Sequence, residues 1–481
     1  MTDTQLVVAA FAATYTAIII VYGIWRSRIR RASDEDYFLA GRSMGPWLTA
    51  FSGAASAESG WVMLGLVGTA YASGLSALWL IPGTLFGYLF SWLVLGPRLR
   101  AASSKHGTIT IPETLAALSD RHKAAIRLVA SIIILVFLTA YVAAQFNAVG
   151  KAMNAIFELP YWTGVVVGMV LVLSYIIFGG FRASVWADFL QAILMVATLL
   201  VVPIIAFAMA PTSLQTLATA QPQLFDFTAG NAGLALLGFV LGWVGIGLGY
   251  PGQPHVVVKF MAAESEARLR LAGVIAVVWS HLVFLGAILL GLLIRAQIPG
   301  LSDPEQAMPT FALNNLSAPL AGMAVAGILA AIFSTASGQL LVAVSTLGYD
   351  LLGRQAQKGS YTPWRNELVV VVLGLAAGGF ALTQNRVIFE FVLYAWAALG
   401  ASIGCALIGL LLFRRVSGTG VLACLIGGAA TVVIWKAVPG LSSSVYELIP
   451  AFVVGLLLVR MVLPRRSAVP SGTDAASTSA E

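Results

Sequence analysis

One carboxylate stands among small residues in a chain that is otherwise apolar for long stretches: Glu58, in the run SGAASAESG from Ser52 to Gly60. A charged side chain within lipid is costly unless it faces a cavity or a partner, so an acid placed there marks a site by default. A second run, GWVGIGLGYPGQP from Gly242 to Pro254, holds five glycines and two prolines. Neither run supports a regular helix well. A third, FSTASGQLL from Phe333 to Leu341, sets Ser334, Thr335, Ser337 and Gly338 on adjoining helical faces. Hydroxyl and carbonyl oxygens are hard ligands suited to Na⁺. The same hydroxyls can instead bond back to their own helix, and glycines can serve only to let helices pack closely. Glu58 has three readings: it pairs with the positive amine of a solute, it carries a proton, or it caps the amides that a broken helix sets free. Asp188 lies near the cytoplasmic start of a later apolar run, and Glu390 and Glu447 fall near outer helix ends, within reach of interfacial water.

The elements that must position these residues follow from composition. Of 481 residues, 59% are hydrophobic and 10% charged, more apolar surface than a water-soluble globule needs. The runs approach the ~20 residues that carry an α-helix across ~30 Å of hydrocarbon. They predict an all-α polytopic membrane protein with thirteen spans: 5–25, 45–72, 78–97, 127–150, 161–178, 185–210, 232–257, 271–294, 318–347, 366–383, 387–412, 418–438 and 446–463. With the N-terminus outside and the C-terminus cytoplasmic, 23 of the 27 Lys and Arg, Lys259 among them, collect in cytoplasmic segments. Only Lys151, Arg295, Arg386 and Lys436 fall elsewhere. The net charge of +7 thus serves topology and the anionic inner leaflet, not nucleic acid. The first helix is followed by RSRIRR and reads as a retained anchor in the cell inner membrane. Cys405 and Cys424 lie in spans and read as packing residues, and the small polar tail 467–481 reads as disordered.

The two weak runs interrupt the second and seventh spans, five helices apart. Because five is odd, the second five-helix unit enters the membrane from the opposite side to the first. Transporters built from such inverted repeats place ions and substrate at interrupted helices near the midplane. The expected organisation is an N-terminal helix and cytoplasmic loop (1–44), a first repeat of helices two to six (45–210), a second of helices seven to eleven (211–412), two C-terminal helices (413–466) and the tail.

At these residues the chain resembles the sodium:solute symporter family, and within it the sodium/proline branch. The motifs are DYFLAGRSMG (Asp36 to Gly45), SAESGWVMLG (Ser56 to Gly65), GGFRASVWADFLQA (Gly179 to Ala192), GYPGQPHVVVKFMAA (Gly249 to Ala263) and GILAAIFSTASGQLLV (Gly327 to Val342). The resemblance implies a leucine-transporter-type fold and Na⁺ as the co-transported ion. It implies a sodium site of the carbonyls of Ala55, Glu58 and Ala331 with the hydroxyls of Ser334 and Thr335. A second cation position would use Asp188, Ser334 and Ser337, with Gly338 where some members carry another hydroxyl. The solute, an amino acid such as proline, would be lined by Glu58, Ser59, Trp61, Tyr141, Tyr250 and Pro254. Two positions depart from the proline branch: its acid stands at Ala57 rather than Glu58, and a Trp that encloses proline is matched by Ile246. The expected partners are the solute, Na⁺ and the bilayer, with a monomer as the working unit.

Other classes fit less well. A channel needs a polar stripe along a whole helix, and a sensor needs a soluble domain. His106, His122, His255 and His281 are scattered without metal spacing or a nucleophile, which argues against an enzyme, and there is no Walker motif for ATP.

Overall fold

The computed structural model describes residues 1–27, 34–352, 363–383, 387–438, 440–441 and 445–461. The expected disordered tail lies outside the described residues, as do Arg28, Arg30, Arg31, Arg354, Lys358, Arg386, Arg465 and Arg466 of the basic count. Lipid offers no partner for backbone N–H and C=O groups, so each apolar run satisfies its own by winding into helix. Among the described residues there is accordingly no strand, and one isolated bridge joins Met44 to Ala263. Among the described residues, nine helical stretches are long and apolar enough to cross a membrane, and three shorter apolar helices accompany them. Each expected span overlaps helix within the described residues, and several helices run further than the apolar run that announced them.

The helices that build the site are α1 (Asp3–Ser27), α2 (Pro46–Ala57), α3 (Val67–Ser73), α4 (Leu80–Leu89) and α5 (Gly96–His106). They continue with α6 (Lys123–Phe157), α7 (Tyr161–Met209), α8 (Gly233–Gly245), α9 (Pro254–Ala262) and α10 (Glu266–Gln297). The remainder are α11 (Ala318–Ser345), α12 (Pro363–Thr383), α13 (Ile388–Leu399), α14 (Cys405–Leu412), α15 (Gly418–Ala437) and α16 (Leu448–Met461). Two expected spans share α7, which kinks at Gly180 (φ 60°, ψ −169°), a conformation that a Cβ excludes. α11 lies at the centre against α1, α6 and α7, with 89% of its most apolar window enclosed. Its small residues let the neighbouring backbones come close.

Both expected breaks are present. Pro46 starts α2 at a position where its missing N–H costs nothing. α2 ends at Glu58, whose ψ of 75° leaves the helix, and a π-helical stretch, Trp61–Leu66, leads into α3. The second break is a 3-10 segment, Ile246–Gly252, between α8 and α9. Its glycines also act as packing seats. A Cβ on Gly247 would come 1.8 Å from the Gly83 carbonyl of α4, and one on Gly249 would meet the Trp396 indole at 1.9 Å.

Straps tie the ends of these helices. Arg182 of α7 donates to Asp36 (2.6 Å) and to the Ala40 carbonyl (2.8 Å), while Arg42 donates to the carbonyls of Met261 (3.0 Å) and Thr108 (2.7 Å). The segment 36–45 thus fastens α7 to the end of α9. At a different place Glu305 accepts from Lys151 of α6 (2.6 Å) and from the Ile388 and Phe389 amides that open α13 (3.0 Å each). Cys405 and Cys424 are free thiols buried in α14 and α15.

Gly247→Leu should lose the folded protein or lower its unfolding temperature markedly, since overpacking costs ~1–3 kcal/mol even where neighbours can shift. Gly379→Ala, with nothing within 4 Å of the added carbon, should leave the melting curve in place. Thermal unfolding of the two purified variants checks the contrast.

Candidate functional site at the two helix breaks

The end of α2 frees backbone carbonyls, and α11 meets them with hydroxyls. Ser334 donates to the carbonyls of Ala55 (2.9 Å) and Ala331 (3.0 Å), and Thr335 donates to those of Ala55 (3.3 Å) and Ser56 (3.0 Å). Four of the five residues expected at the sodium site therefore touch directly; the Glu58 carbonyl belongs to the turn that ends α2. A hydroxyl can rotate its hydrogen away and offer lone pairs, so the cluster is a set of oxygens able to face a cation. Ser334 and Thr335 reach across to α2. Ser337 behaves otherwise, donating back to the Ser334 carbonyl (3.1 Å) and meeting the Ser184 hydroxyl (3.2 Å).

Glu58, Ser59, Trp61, Tyr141, Tyr250 and Pro254 are all buried. Glu58 Oε1 accepts from Tyr88 of α4 (2.6 Å) and from Tyr250 of the second break (3.1 Å), and Ser280 of α10 donates to Tyr88 (2.6 Å). Its Oε2 is buried with no hydrogen-bond partner. The capping role left open for this side chain is filled by others: Gln145 accepts from the Gly60 amide (3.1 Å) and the Ser59 hydroxyl from the Trp61 amide (3.2 Å). The Trp61 indole donates back to the Ala57 carbonyl (3.0 Å) and packs against Phe284 and Phe389. Tyr141 stands edge-on to His255, the residue after Pro254, with ring centroids 5.6 Å apart. Trp396 of α13 donates to the Ile246 carbonyl (2.9 Å) and lies edge-on to Tyr250 at 4.7 Å, so an indole closes this wall although position 246 carries none.

Two placements correct the sequence reading, those of Lys259 and Glu447, and a third adds to it. Lys259, counted among cytoplasmic loop cations, is fully buried in α9, because that helix continues past residue 257. Asp188, expected at a second cation position with Ser334 and Ser337, has a lysine as its partner: it is bonded to Lys259 (3.0 Å), Ser52 (2.7 Å) and Ser56 (3.5 Å). Glu447, expected to reach interfacial water, is only 3% exposed. With Glu390 it lines a cavity of about 880 Å³ that also includes Trp243, Ile246, Phe389 and Tyr446. Tyr88, Ser280, Gln145 and Trp396 were missed altogether. A phenol in the apolar run LFGYLF was the one available signal for Tyr88.

The family profile of the sodium:solute symporters matches residues 37–428. The chain belongs to the sodium:solute symporter family. It is a multi-pass membrane protein and a transporter rather than an enzyme. A high-affinity proline transporter of Bacillus subtilis, PutP, is 38% identical over 445 residues, covering 90% of this chain and 93% of that one. The osmoregulated proline transporter OpuE of the same organism is 34% identical, covering 92% of each chain. A sodium/proline symporter of Staphylococcus aureus is 32% identical, covering 94% of this chain and 91% of that one. Among solved structures, a Na⁺-coupled sialic acid symporter in a substrate-bound outward-open state superposes with a TM-score of 0.78, at 18% identity over 95% of this chain and 98% of that one. Mhp1, a nucleobase-cation-symport-1 transporter in a closed conformation, gives 0.54 at 15% identity over 90% and 96%. These two likenesses concern the fold, which is the leucine-transporter type that the family resemblance implies.

Because Ser334 and Thr335 bridge α11 to α2, replacing them with Ala and Val should lower the unfolding temperature in the absence of Na⁺. Each net hydrogen bond is worth ~1 kcal/mol, and stranded carbonyls add to the loss. Melting curves of the double variant and the parent check this, and coincident curves would contradict the bridging role.

Proposed function

We propose that this protein carries proline, or an amino acid of similar size and charge, into the cell together with Na⁺ by alternating access. The observation that carries the reading is Glu58: a buried carboxylate on a helix break, held by two phenols, whose second oxygen has no partner. An ionised carboxylate in such surroundings is stable only beside a positive charge. The ammonium of an amino acid supplies one, and the adjoining carbonyls and hydroxyls of α2 and α11 suit Na⁺. The names of these bacterial relatives support proline as the first solute to test.

On this reading the chain lies in the cell inner membrane as thirteen crossings, with the N-terminus outside, and works as a monomer. The repeats span 45–210 and 211–412. Na⁺ joins the end of α2 to α11 and thereby favours the arrangement that accepts solute; solute then closes the outer path. Coupling comes from the different affinities of the two states for each ligand. One Na⁺ moving down ~100 mV and a tenfold gradient releases roughly 3.7 kcal/mol, enough for several-hundred-fold accumulation of a zwitterion.

An inward Na⁺ gradient should drive uptake of labelled proline into proteoliposomes above the level without the gradient. Proline uptake equal in both conditions would remove the sodium-coupled reading. Replacing Ser334 and Thr335 by Ala and Val should raise the Na⁺ concentration for half-maximal uptake, by ~1–3 kcal/mol in binding energy for each lost ligand oxygen.

Glu58→Gln keeps size and hydrogen bonding but removes the charge. Under amine pairing, solute affinity should fall about a hundredfold at every pH, the equivalent of ~3 kcal/mol for a broken buried pair. A variant that keeps its affinity but loses the pH dependence of transport would make Glu58 a proton carrier instead. Normal affinity and normal pH dependence would remove both roles.

A further inference from the structure

Asp188 and Lys259 form an ion pair with both side chains fully enclosed, between α7 and α9. The Lys259 ammonium lies 3.0 Å from Asp188 Oδ2 and 4.8 Å from the centroid of the Phe181 ring. Ser52 and Ser56 of α2 donate to the same carboxylate oxygen, while Oδ1 has no hydrogen-bond partner. The pair adjoins the oxygens of the first break through one residue: the Ser56 carbonyl accepts from Thr335, and the Ser56 hydroxyl reaches Asp188. On the α11 side of Ser56 stands Gly338, where an added Cβ would lie 3.3 Å from the Ser56 hydroxyl oxygen. A side-chain oxygen at 338 could complete a cage around a free ion near Asp188. Glycine offers none, and a lysine supplies the charge instead.

We propose that Lys259 is a tethered cation, its ammonium holding beside Asp188 the place of a second free Na⁺, so that one Na⁺ rather than two accompanies each solute. A buried carboxylate stripped of its partner must recruit another positive charge. Here the surrounding donors, two hydroxyls on α2 and the unpartnered Oδ1, are oxygens that suit a hard cation. Removing the ammonium therefore converts the pocket from a structural pair into an ion site. Removing the carboxylate instead leaves an uncompensated ammonium next to the oxygens of the first break, which repels Na⁺ from them.

This inference rests on the sodium-coupled reading, and the parent protein serves as the arm that separates the two. Charge moved per labelled proline in proteoliposomes, together with radioactive sodium bound per purified protein, should correspond to one ion in the parent and in Lys259→Arg. Lys259→Gln should bind a second Na⁺ and move about twice the charge per proline. Lys259→Gln combined with Asp188→Asn should return to one ion. Should Lys259→Gln fail to fold, Asp188→Asn decides the matter: its Na⁺ affinity should fall at least about tenfold and recover in the double variant. A parent without sodium-dependent uptake would overturn the transport reading itself. A sodium-dependent parent with one ion in Lys259→Gln, or with unchanged Na⁺ affinity in Asp188→Asn, would overturn the tethered cation alone.

Discussion

A helix in lipid cannot stop in mid-membrane without leaving amides and carbonyls in want of partners, and the structure of this transporter is arranged around that demand. α2 stops at Glu58. The carbonyls it frees at Ala55 and Ser56 are met by Ser334 and Thr335 of the central α11, and the amides that follow are met by Gln145 and Ser59. Because the break is satisfied largely by Gln145, Ser334 and Thr335 of other helices, with Ser59 and Trp61 adding bonds of its own, it depends on α2, α6 and α11 coming together. The same dependence makes it a joint between these three helices.

Buried charge is distributed around this joint in two ways. Asp188 with Lys259, and Glu305 with Lys151, are closed pairs that tie one helix to another. Glu58 is different. Its neighbours Tyr88, on α4, and Tyr250, on the second break, are neutral donors, and they fix the carboxylate without neutralising it. Pairs that are complete favour structure, since breaking one strands a charge; a carboxylate that is held but unpaired favours a ligand. That difference is why the proposed solute contact falls on Glu58 and not on Asp188 or Glu305.

Much of this was legible in the sequence for local reasons. Run length announced the helices, the small residues of Ser52 to Gly60 and the glycines and prolines of Gly242 to Pro254 announced the breaks, and the hydroxyls at Ser334 and Thr335 announced an oxygen-rich face. The partners of Glu58 were not legible, because Tyr88 and Ser280 lie in apolar runs and become neighbours only through the crossing of α2, α4 and α10. Lys259 was misplaced for a related reason. A lysine near the end of an apolar run reads as the start of a loop, and only the fold shows that α9 carries it inward to an acid on α7.

Backbone hydrogen exchange read by mass spectrometry tests, without requiring the solute, the proposal that Na⁺ joins the broken end of α2 to α11. Adding Na⁺ in place of a large organic cation should slow exchange in peptides that cover residues 55–61 and 331–338 together, because an ion bound to both segments suppresses the opening of each. Protection that falls elsewhere, or no change in these two segments at saturating Na⁺, would contradict the account.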